Sequence, residues 1–444
     1  MKGLPDTFDE DLLLLTVNNR LSTELRRRYD ERQALAGLRV WPSPQLLPWS
    51  AWLQQQYEVL IDDGHQEADL LTIHQERLVW QQVIEADPDS AQLLRPAAAA
   101  QQAQQAYQLL MDWHLDDHPL ASLGGEDTQR FLSWRAAFEA RLAELGALSQ
   151  SQVLPVLTDA FAGQVLTPPA RLLLAGFDGL SPAQARLTQV IDEQGSQVGH
   201  LEDNATPDGL QQRFIAADPE QEIRLAAHWA KAKLAEAPGR RLGIVCPALN
   251  QMREPIERIF SAVLSPDAYL AADPANRPFN LSLGESLGER TLSAHALLAL
   301  NLIGNARPAA DIGELLRSAF LGGSDDEWSQ RALFDVELRR RGRTRLNLHT
   351  LHHLVRTTPT DRPHHCPDLA RRLDELVDYH ATLPRSTSPA EWPRHLLQAL
   401  NLFGWPGQRS LDSHEYQEHE RFLNAFSTLA TLGRVTPRLS LAQA

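Results

Sequence analysis

The stretch that most constrains the fold of this chain runs from Asp11 to Tyr29, DLLLLTVNNRLSTELRRRY. The segment Leu12 to Val17 is almost wholly apolar, and Asn18 and Asn19 then interrupt it before a helical spacing begins at Leu21. A continuous apolar run bounded by turn formers is typical of a strand buried on both faces of a parallel sheet. The stretch therefore predicts a strand, a tight turn and a helix, which is the opening of a nucleotide-binding α/β domain.

The predicted turn lacks the residues that bind nucleotide phosphates. A P-loop reads G-x-x-x-x-G-K-[ST], because glycine amides close on the phosphates and a lysine reaches them. The turn here reads T-V-N-N-R-L-S. The whole chain contains only three lysines, Lys2, Lys231 and Lys233, and none follows a glycine in a loop between a strand and a helix. The sequence thus predicts the architecture of a nucleotide site without its chemistry.

A second position of the predicted nucleotide site is Asp178, in GFDGL, at the end of a later apolar strand. A Walker B aspartate occupies such a place, but helicases need a second carboxylate directly after it to activate water, and here Gly179 follows. Asp-Gly is also an ordinary turn sequence after a strand. We therefore predict a degenerate site of Asn18, Asn19, Arg20 and Asp178, which closes the strand and starts the helix without hydrolysing a nucleotide.

Charge and composition are those of a globular protein. A chain of 444 residues with 43% hydrophobic and 22% charged residues is expected to form two to four domains. The net charge is 42 − 57 = −15, which argues against a generally basic surface but not against a local basic groove. Of the 42 basic residues, 39 are arginine, which pairs phosphate bidentately.

Cysteine usage and hydropathy indicate the compartment. Cys246 and Cys366 lie far apart and form no disulfide framework, which fits a reducing environment. No apolar run approaches the roughly 18 residues needed to span a bilayer, and the N-terminus has no apolar signal-peptide region. We therefore expect a cytoplasmic location and no membrane partner.

The order of patterns along the chain predicts a sheet interrupted by helical blocks. After the first helix we predict a short strand at Leu38 to Trp41, a turn in PSPQLLPW, and then helices from Ser50 to about Leu154. Strand signals return at Arg171 to Phe177 and at Gln197 to Leu201. Between these two strands, Ser181 and Pro182 are predicted to start a helix as N-cap and first helical residue.

A second strand-and-helix series is predicted further on. RFIAA at 213–217 and RLGIVCP at 241–247 read as strands, and each is followed by a helical pattern. From Thr291 onward the pattern is mostly helical. The sequence Thr436-Pro437 predicts the start of a helix that is not completed, from which we expect the chain to be a fragment.

The sharpest basic feature is LRRRGRTR, with Arg339, Arg340, Arg341, Arg343 and Arg345. The segment 317–372 holds eleven arginines against seven acidic residues, inside a chain that is acidic overall. A charge run is usually a solvated helix face. The functional interpretation is a phosphate-contacting edge of a nucleic-acid channel.

Tryptophans, histidines and a second arginine cluster are further candidates for binding residues. Three tryptophans could stack on bases, although tryptophans at helical spacing usually belong to the core: Trp328, Trp392 and Trp405. A histidine-rich region with one thiol matches no compact zinc-ligand spacing, so we predict no metal site there: His349, His352, His353, His364, His365 and Cys366. A smaller cluster, Arg26 to Arg28, is predicted to be helix surface.

Eight motifs together carry a resemblance: TVNNRLSTELRRRY, VWPSPQLLPWSAWL, LLLAGFDGLSPAQ, ADPEQEIRLAAHWA, LGIVCPAL, FNLSLGESL, LLRSAFLGGSDDE and LFGWPGQRSLDSHEYQ. Over nearly all of its length the chain resembles the bacterial "probable DNA repair protein" group of the PD-(D/E)XK nuclease superfamily. It is similar to the B subunit of AddAB-type helicase-nucleases and, more distantly, to the RecC subunit of RecBCD. FNLSLG and GWPGQRSLDSHEYQ are the more specific motifs.

The resemblance implies an α/β fold of two RecA-like parallel-sheet domains of superfamily 1 helicase type, with large helical insertions. The corresponding boundaries are 1–60 and 156–210 for the first RecA-like domain, 61–155 for its insertion, and 211–305 for the first part of the second. Residues 306–444 are expected to form a further helical insertion that is truncated at the C-terminus. The family's nuclease motif, G-x-x-D-R-x-D followed by a Q-L-x-x-Y helix, does not occur in these residues. Nuclease chemistry is therefore expected outside them.

Three functions follow as hypotheses. The first is an ATPase-inactive, helicase-like part of a DNA repair nuclease, which binds or scans DNA as single strands or duplex ends and positions it for the nuclease domain. It would need no cofactor and would dock a helicase-nuclease partner subunit. The second is a protein-interaction scaffold that docks a motor or nuclease partner without touching DNA, which the net charge of −15 favours. The third, an active ATP-driven helicase, conflicts with the missing lysine and second carboxylate.

Overall fold

A computed structural model of the protein describes residues 8, 11–88, 95–115, 124–201, 211–266, 278–282 and 286–444. The chain divides into two compact units. Unit 1 comprises Met1–Thr206, Thr382–Gln398 and Asn424–Ala444, and unit 2 comprises Pro207–Ala381 and Ala399–Leu423. The domain boundaries that the resemblance implies stay a prediction.

The first part of unit 1 contains strands and helices in mixed order. They are β1 (Leu12–Thr16), α1 (Asn19–Leu35), β2 (Gln45–Pro48), α2 (Trp49–Asp62), β3 (Asp69–Leu70), α3 (Ile73–Ala86), α4 (Pro96–Trp113), α5 (Glu126–Leu145), β4 (Ala147–Leu148), α6 (Val153–Ala162), β5 (Arg171–Ala175), α7 (Pro182–Glu193) and β6 (Gln197–Leu201). Strands β2, β1, β5 and β6 form, in that order, one parallel sheet.

Strand β1 is buried on both faces, as its uninterrupted leucines predict. Leu13 and Leu15 belong to the apolar core that α2, α6 and α7 also enter, whereas Leu12 and Leu14 pack into a second core with α1. Successive side chains of a strand point to opposite faces, so five consecutive buried residues require cover on both sides of the sheet. The mixed α/β class with a parallel sheet is therefore confirmed.

The strand predicted at Leu38 to Trp41 is wrong, and the neighbouring segment Gln45–Pro48 forms the edge strand β2. Val40 is exposed, whereas Leu46 is buried between the sheet and α1. The sheet thus accepts the segment whose apolar side chain reaches the core. A proline is tolerated at the end of β2 because an edge strand does not need every N–H for pairing.

The helices predicted between β2 and β5 are confirmed, and α3, α4 and α5 share an apolar core of their own in unit 1. Trp80 of α3 is fully buried and stacks on Phe138 of α5, with ring centroids 4.0 Å apart, while Tyr107 of α4 meets both rings edge-on. Ala100 and Ala103 of α4 are also buried in this core, where their small side chains let the helices approach closely. The short parallel pair β3–β4 was not predicted from the sequence.

The predicted start of α7 is confirmed in detail. Ser181 Oγ accepts a hydrogen bond from the Gln184 N–H, Gln184 Oε1 accepts one from the Ser181 N–H, and Pro182 occupies the first helical position. This reciprocal capping satisfies two N–H groups that the helix itself leaves unpaired. Strand β6 likewise has the predicted limits, Gln197–Leu201.

Unit 2 is mainly helical. The elements after Pro207, in chain order, are α8 (Pro219–Glu236), α9 (Leu249–Leu264), α10 (Thr291–Gly304), β7 (Arg307–Pro308), α11 (Ala309–Leu316), α12 (Ser324–Arg340), β8 (Arg345–Leu346), α13 (Leu348–Arg356), α14 (Pro367–Thr382), β9 (Ser386–Thr387), α15 (Trp392–Phe403), α16 (Ser413–Thr431) and β10 (Leu439–Ser440). Strands β9 and β10 belong to unit 1, and α14, α15 and α16 each contain residues of both units. Helices α8 and α9 share an apolar core, and β7 pairs antiparallel with β8.

The strands predicted at 213–217 and 241–247 are absent. Neither segment forms a ladder, and residues 213–216 and 241–247 make no backbone hydrogen bond within the described part of the chain. Ile215 is 86% exposed and Val245 is 92% exposed. A strand needs a paired neighbour, and no described strand lies beside either segment, so local apolar pattern does not suffice. The finer prediction of a second RecA-like sheet is not confirmed.

Two motif segments that are far apart in the sequence pack together inside unit 2. A Cβ at Gly404 would lie 2.6 Å from Gly322 Cα, and one at Gly322 would lie 2.4 Å from the Arg372 guanidinium carbon. Trp405 is buried and donates a hydrogen bond from Nε1 to the Leu292 carbonyl oxygen at 3.1 Å. LLRSAFLGG and GWPGQRS therefore form packing contacts. FNLSLGESL lies partly outside the described residues.

The C-terminal expectation is corrected as well. Leu439–Ser440 pairs antiparallel with Ser386–Thr387 in unit 1, and Trp392 Nε1 donates a hydrogen bond to the Leu439 carbonyl oxygen at 2.9 Å. The residues after Pro437 therefore form a short strand where a helix start was predicted. Among the described residues, no helix is long and apolar enough to cross a membrane.

Candidate nucleic-acid interface

The predicted nucleotide corner is too short to wrap a phosphate. Strand β1 ends at Thr16 and α1 begins at Asn19, so only Val17 and Asn18 connect them, whereas the P-loop motif spans about eight residues. Asn18 is the N-cap of α1, and its Oδ1 accepts the Leu21 N–H at 3.0 Å. The asparagine thus uses its side chain to close the turn, as the sequence predicts.

Apolar packing fills the same corner. Gly176 follows β5 with φ of +77°, and a Cβ there would lie 2.5 Å from Leu21 Cδ2 and 3.2 Å from Val17 Cγ1. The Val17 N–H also donates a hydrogen bond to the Ala175 carbonyl oxygen at 3.1 Å. The turn after β1 is therefore packed against the turn after β5, and its apolar side chains stand where a phosphate loop presents backbone amides.

The structure brings the predicted corner residues to one edge of the sheet. Thr16 pairs with Ala175 at the ends of β1 and β5, so Asn18 and Asp178 follow neighbouring strand ends. Asp178 is exposed and carries no hydrogen bond or ion pair among the described residues. Asn19 and Arg20 are exposed in the first turn of α1. The four residues therefore lie at the carboxyl edge of the parallel sheet, and Arg20 is the one basic residue among them.

The smaller arginine cluster on α1 is neutralised by its own helix. Arg27 pairs with Glu24 at 2.9 Å and with Glu31, and Arg28 pairs with Glu24 at 2.7 Å. Hydrogen bonds from Arg27 and then Arg28 lower the pKa of Glu24 to about 2. Arg26 donates to the Leu46 carbonyl oxygen at 2.9 Å. These arginines are helix surface, as predicted.

The larger cluster lies at the C-terminal end of α12 and in the hairpin that follows. Arg339 and Arg340 occupy the last helical turn, and Arg345 begins β8. Gly342 has φ of +66°, a left-handed conformation that lets the chain leave the helix and reverse towards β8. All five arginines of LRRRGRTR are exposed. Cations near the C-terminal end of a helix also interact favourably with the helix dipole, which would explain these arginines without any ligand.

Three of these arginines have partners. Arg339 donates to Asp335 from Nε at 3.2 Å and from Nη2 at 3.0 Å. Arg341 donates from Nε to Glu337 at 2.9 Å, which lowers the pKa of that carboxyl. Arg345 donates to a backbone carbonyl oxygen of the segment before β7. Surface ion pairs of this kind contribute little to stability and leave part of each guanidinium open to solvent.

Arg340 and Arg343 have no hydrogen-bond or ion-pair partner in the part of the chain that the structure describes. Residues 335–345 contain these five arginines and two carboxylates, Asp335 and Glu337, so the net charge of this segment is 5 − 2 = +3 on a chain of net charge −15. Unpaired, exposed guanidinium groups are free to bind phosphate oxygens. This patch, Arg339 to Arg345, is called the arginine patch below.

Trp328 lies on the same helix and departs from the expectation that it is core. Trp392 and Trp405 are buried, as helical spacing predicts, but Trp328 is 59% exposed and makes no ring contact or hydrogen bond with the rest of the described chain. Leu333 and Val336 of α12 are exposed as well. The solvent face of α12 is therefore apolar in its middle and basic at its C-terminal end.

A buried ionic network involves the N-terminal half of α12. Arg331 is 1% exposed and donates to Glu327 from Nε and Nη2, both at 3.1 Å, and to the Gly322 carbonyl oxygen at 2.8 Å. Glu327 in turn accepts the backbone N–H groups of Asp368 at 2.6 Å and Leu369 at 3.0 Å. The helix is thereby fixed to α14, which holds the arginine patch and Trp328 on a rigid element.

The histidine-rich region does not gather into one site. His352 pairs with Asp374 at 2.6 Å, His349 contacts the ring of His380, and His365 lies 3.2 Å from the Thr358 carbonyl oxygen. Burial raises the pKa of the Cys366 thiol to about 12. Among the described residues, no three histidine, cysteine or acidic side chains come together as metal ligands.

Two further features were not predicted from the sequence. Ser318 Oγ lies 2.7 Å from His295 Nδ1, but Ser318 is 1% exposed and its oxygen accepts the Phe320 N–H, so a substrate cannot reach it. An open groove of about 650 Å³ lies beside the start of α8, and its Glu220 and Arg224 pair with each other at 3.2 Å. Neither feature includes a predicted site residue.

No protein-family model matches the chain, and no curated protein is significantly similar to it.

Proposed function

We propose that this chain is the ATPase-inactive, helicase-like part of a DNA repair nuclease, which binds or scans DNA and positions it for a nuclease domain outside these residues. The observation that carries the DNA-binding part is the arginine patch. The patch contains five exposed arginines, of which Arg340 and Arg343 have no hydrogen-bond or ion-pair partner among the described residues. Neutralising phosphates with such groups releases counterions, which drives binding that does not depend on sequence.

The closed corner after β1 supports the ATPase-inactive part of the proposal. Its two-residue connection offers no loop for phosphate, and Leu21 and Val17 pack against Gly176 where backbone amides would be needed. Phosphoryl transfer relies on a lysine and metal-binding carboxylates to stabilise charge, and Asp178 stands without either a lysine or a second carboxylate beside it. Magnesium-ATP should therefore give no DNA-stimulated hydrolysis, and measurable turnover by the purified chain would overturn this part.

Fluorescence anisotropy with a tailed duplex DNA tests the DNA-binding part. We expect a salt-dependent Kd no weaker than about 10⁻⁴ M, the weak end for non-specific binding. Changing both Arg340 and Arg343 to Gln should weaken binding and reduce the slope of log K against log salt by about 1.8 on duplex DNA, because each phosphate contact contributes about 0.9. Binding weaker than about 10⁻⁴ M, or without salt dependence, would reject it.

A matched control separates a local site from net charge. Arg394 of α15 and Arg421 of α16 are also exposed and unpaired among the described residues, so their double change to Gln alters the net charge by the same two units. This control variant should retain the wild-type affinity and salt slope. An equal loss in both double variants would mean that overall charge, and not the arginine patch, governs binding.

A second candidate function, a scaffold that docks a motor or nuclease partner without DNA contact, is favoured by the two extended apolar segments of unit 2. Residues 213–216 and 241–247 make no backbone hydrogen bond in the described chain and expose Phe214, Ile215, Ile244 and Val245. Unpaired backbone of this kind is a template for a strand of another protein. Reversing the charge of Arg339 to Arg345 should then leave DNA binding of the full-length protein unchanged.

A further inference from the structure

The solvent face of α12 carries a regular succession of side chains. Trp328, Ala332, Val336 and Arg340 follow at intervals of four residues, so each lies about 40° further around the helix than the one before, and the four form a strip that winds by about 120° around α12. Trp328 lies about 18 Å along the axis from Arg340, at 1.5 Å per residue. Trp328, Val336 and Arg340 are all exposed, so a flexible ligand that follows the winding strip meets an aromatic ring, an apolar side chain and a cation in turn.

We propose that Trp328 stacks on an unpaired base of single-stranded DNA while Arg339 and Arg340 bind phosphates of the same strand. The inference rests on the proposed DNA-binding function and adds its substrate class: the face selects a single strand over a duplex. Every base has a π-face, so stacking on tryptophan tolerates any sequence but requires a base that is free of its duplex neighbours. Phosphate contacts alone would not distinguish the two forms.

The position of Trp328 limits the entropic cost of stacking. It directly follows Glu327, whose backbone departs from helical angles (φ −114°, ψ 16°) and whose side chain is held by Arg331 and by two N–H groups at the start of α14. The indole is therefore presented from a fixed backbone, although its ring makes no contact with another ring in the described chain. Stacking then orders only the two side-chain torsions of the tryptophan, which keeps the entropic cost low.

The charges along α12 orient the strand. Asp325 and Asp326 are exposed in the first turn, one turn before Trp328, whereas Arg339 and Arg340 lie in the last turn. The aspartates at the N-terminal end of α12 repel phosphates, and the arginines at its C-terminal end attract them. The DNA backbone therefore lies along the arginines, and one base extends towards the indole of Trp328. Changing Asp325 and Asp326 to Asn should strengthen binding without altering the preference for single strands.

The experiment compares two fluorescein-labelled probes, a 20-nucleotide oligo(dT) and a 20-base-pair duplex, on the full chain by anisotropy at one salt concentration. Trp328→Ala should weaken oligo(dT) binding by about 5- to 150-fold, the range for loss of one stacked base. Its affinity for the duplex should change by less than about twofold, because duplex bases are already stacked. Trp328→Phe should retain most of the oligo(dT) affinity.

Trp113→Ala is the matched control, because Trp113 is 56% exposed and lies on α4 of unit 1. It should leave both probes unaffected, and unchanged circular dichroism should show that each variant is folded. Unchanged oligo(dT) binding by Trp328→Ala would overturn the inference and favour a protein partner for this face, as would an equal loss on both probes. If the wild-type chain binds neither probe, the proposed DNA-binding function itself fails, and this inference fails with it.

Discussion

Replacing Arg331 by Met tests how the buried network of unit 2 stabilises the fold. The substitution keeps an unbranched apolar stem but removes the guanidinium, which donates twice to Glu327 at 3.1 Å and once to the Gly322 carbonyl oxygen at 2.8 Å. Glu327 would then remain buried with only the N–H groups of Asp368 and Leu369 as partners. A carboxylate without its cation is costly in such a site, because water no longer solvates it.

The expected loss in the free energy of unfolding is about 3–5 kcal/mol, the range for breaking a buried ion pair by removing one partner. Two hydrogen bonds to a charged group, at about 1.5–3 kcal/mol each, give a similar figure of about 3–6 kcal/mol. Domains are stable by only about 5–15 kcal/mol, so unit 2 should lose a large part of its stability. Arg340→Met, on the same helix but exposed, should stay within about 0.5 kcal/mol of the wild type.

Urea unfolding followed by peptide-resolved hydrogen exchange is the suitable assay, because it reports on unit 2 separately from unit 1. The double variant Glu327→Gln with Arg331→Met should be more stable than Arg331→Met alone, since it removes the uncompensated charge. A loss below about 1 kcal/mol in Arg331→Met, within the range of ordinary substitutions, would refute the reasoning. So would a double variant that is less stable than the single one.

Two further predictions concern unit 1. Gly176→Ala should destabilise unit 1 by about 1–3 kcal/mol, because the new Cβ would collide with Leu21 and the backbone has a φ of +77°. Gly179→Ala, which has open space around it, should leave the melting temperature unchanged. Equal melting temperatures for the two variants would contradict the packed corner. Burial raises the pKa of Glu76, so its stabilising contribution is present below pH 4.5 and is lost as pH rises through the folded-state pKa. The Tm of Glu76→Gln minus that of the wild type should therefore grow from pH 4 to 8. A difference that stays constant over this range would reject this sign.

The sequence was sufficient for much of unit 1 because the signals there are local or dominated by burial. Four consecutive leucines in a strand are all buried only when both faces of the sheet are covered, and Leu12 to Leu15 indeed enter two separate cores. The capping of α7 by Ser181 depends only on the next three residues, and it was predictable for that reason. The closed nucleotide corner was likewise predictable, since missing glycines and lysines are visible in the sequence.

The candidate site was predictable only in its composition. The run of arginines identified the arginine patch, but the sequence did not reveal that Arg339 and Arg341 have carboxylate partners while Arg340 and Arg343 have none. Trp328 was assigned to the core by its helical spacing, because spacing gives a face and not what covers that face. The anchoring of α12 joins residues 327, 331 and 368, which only the tertiary structure brings together.

By itself, the sequence determined the mixed α/β class, the central buried strand, the helical blocks and the absence of a P-loop motif. Only the tertiary structure decided which apolar segments become strands. Gln45–Pro48 is paired beside β1, whereas 213–217 and 241–247 remain unpaired in the described chain despite a stronger strand pattern. The physical reason is that a strand is stabilised by hydrogen bonds to a neighbour, and a neighbour is a property of the fold and not of the local sequence.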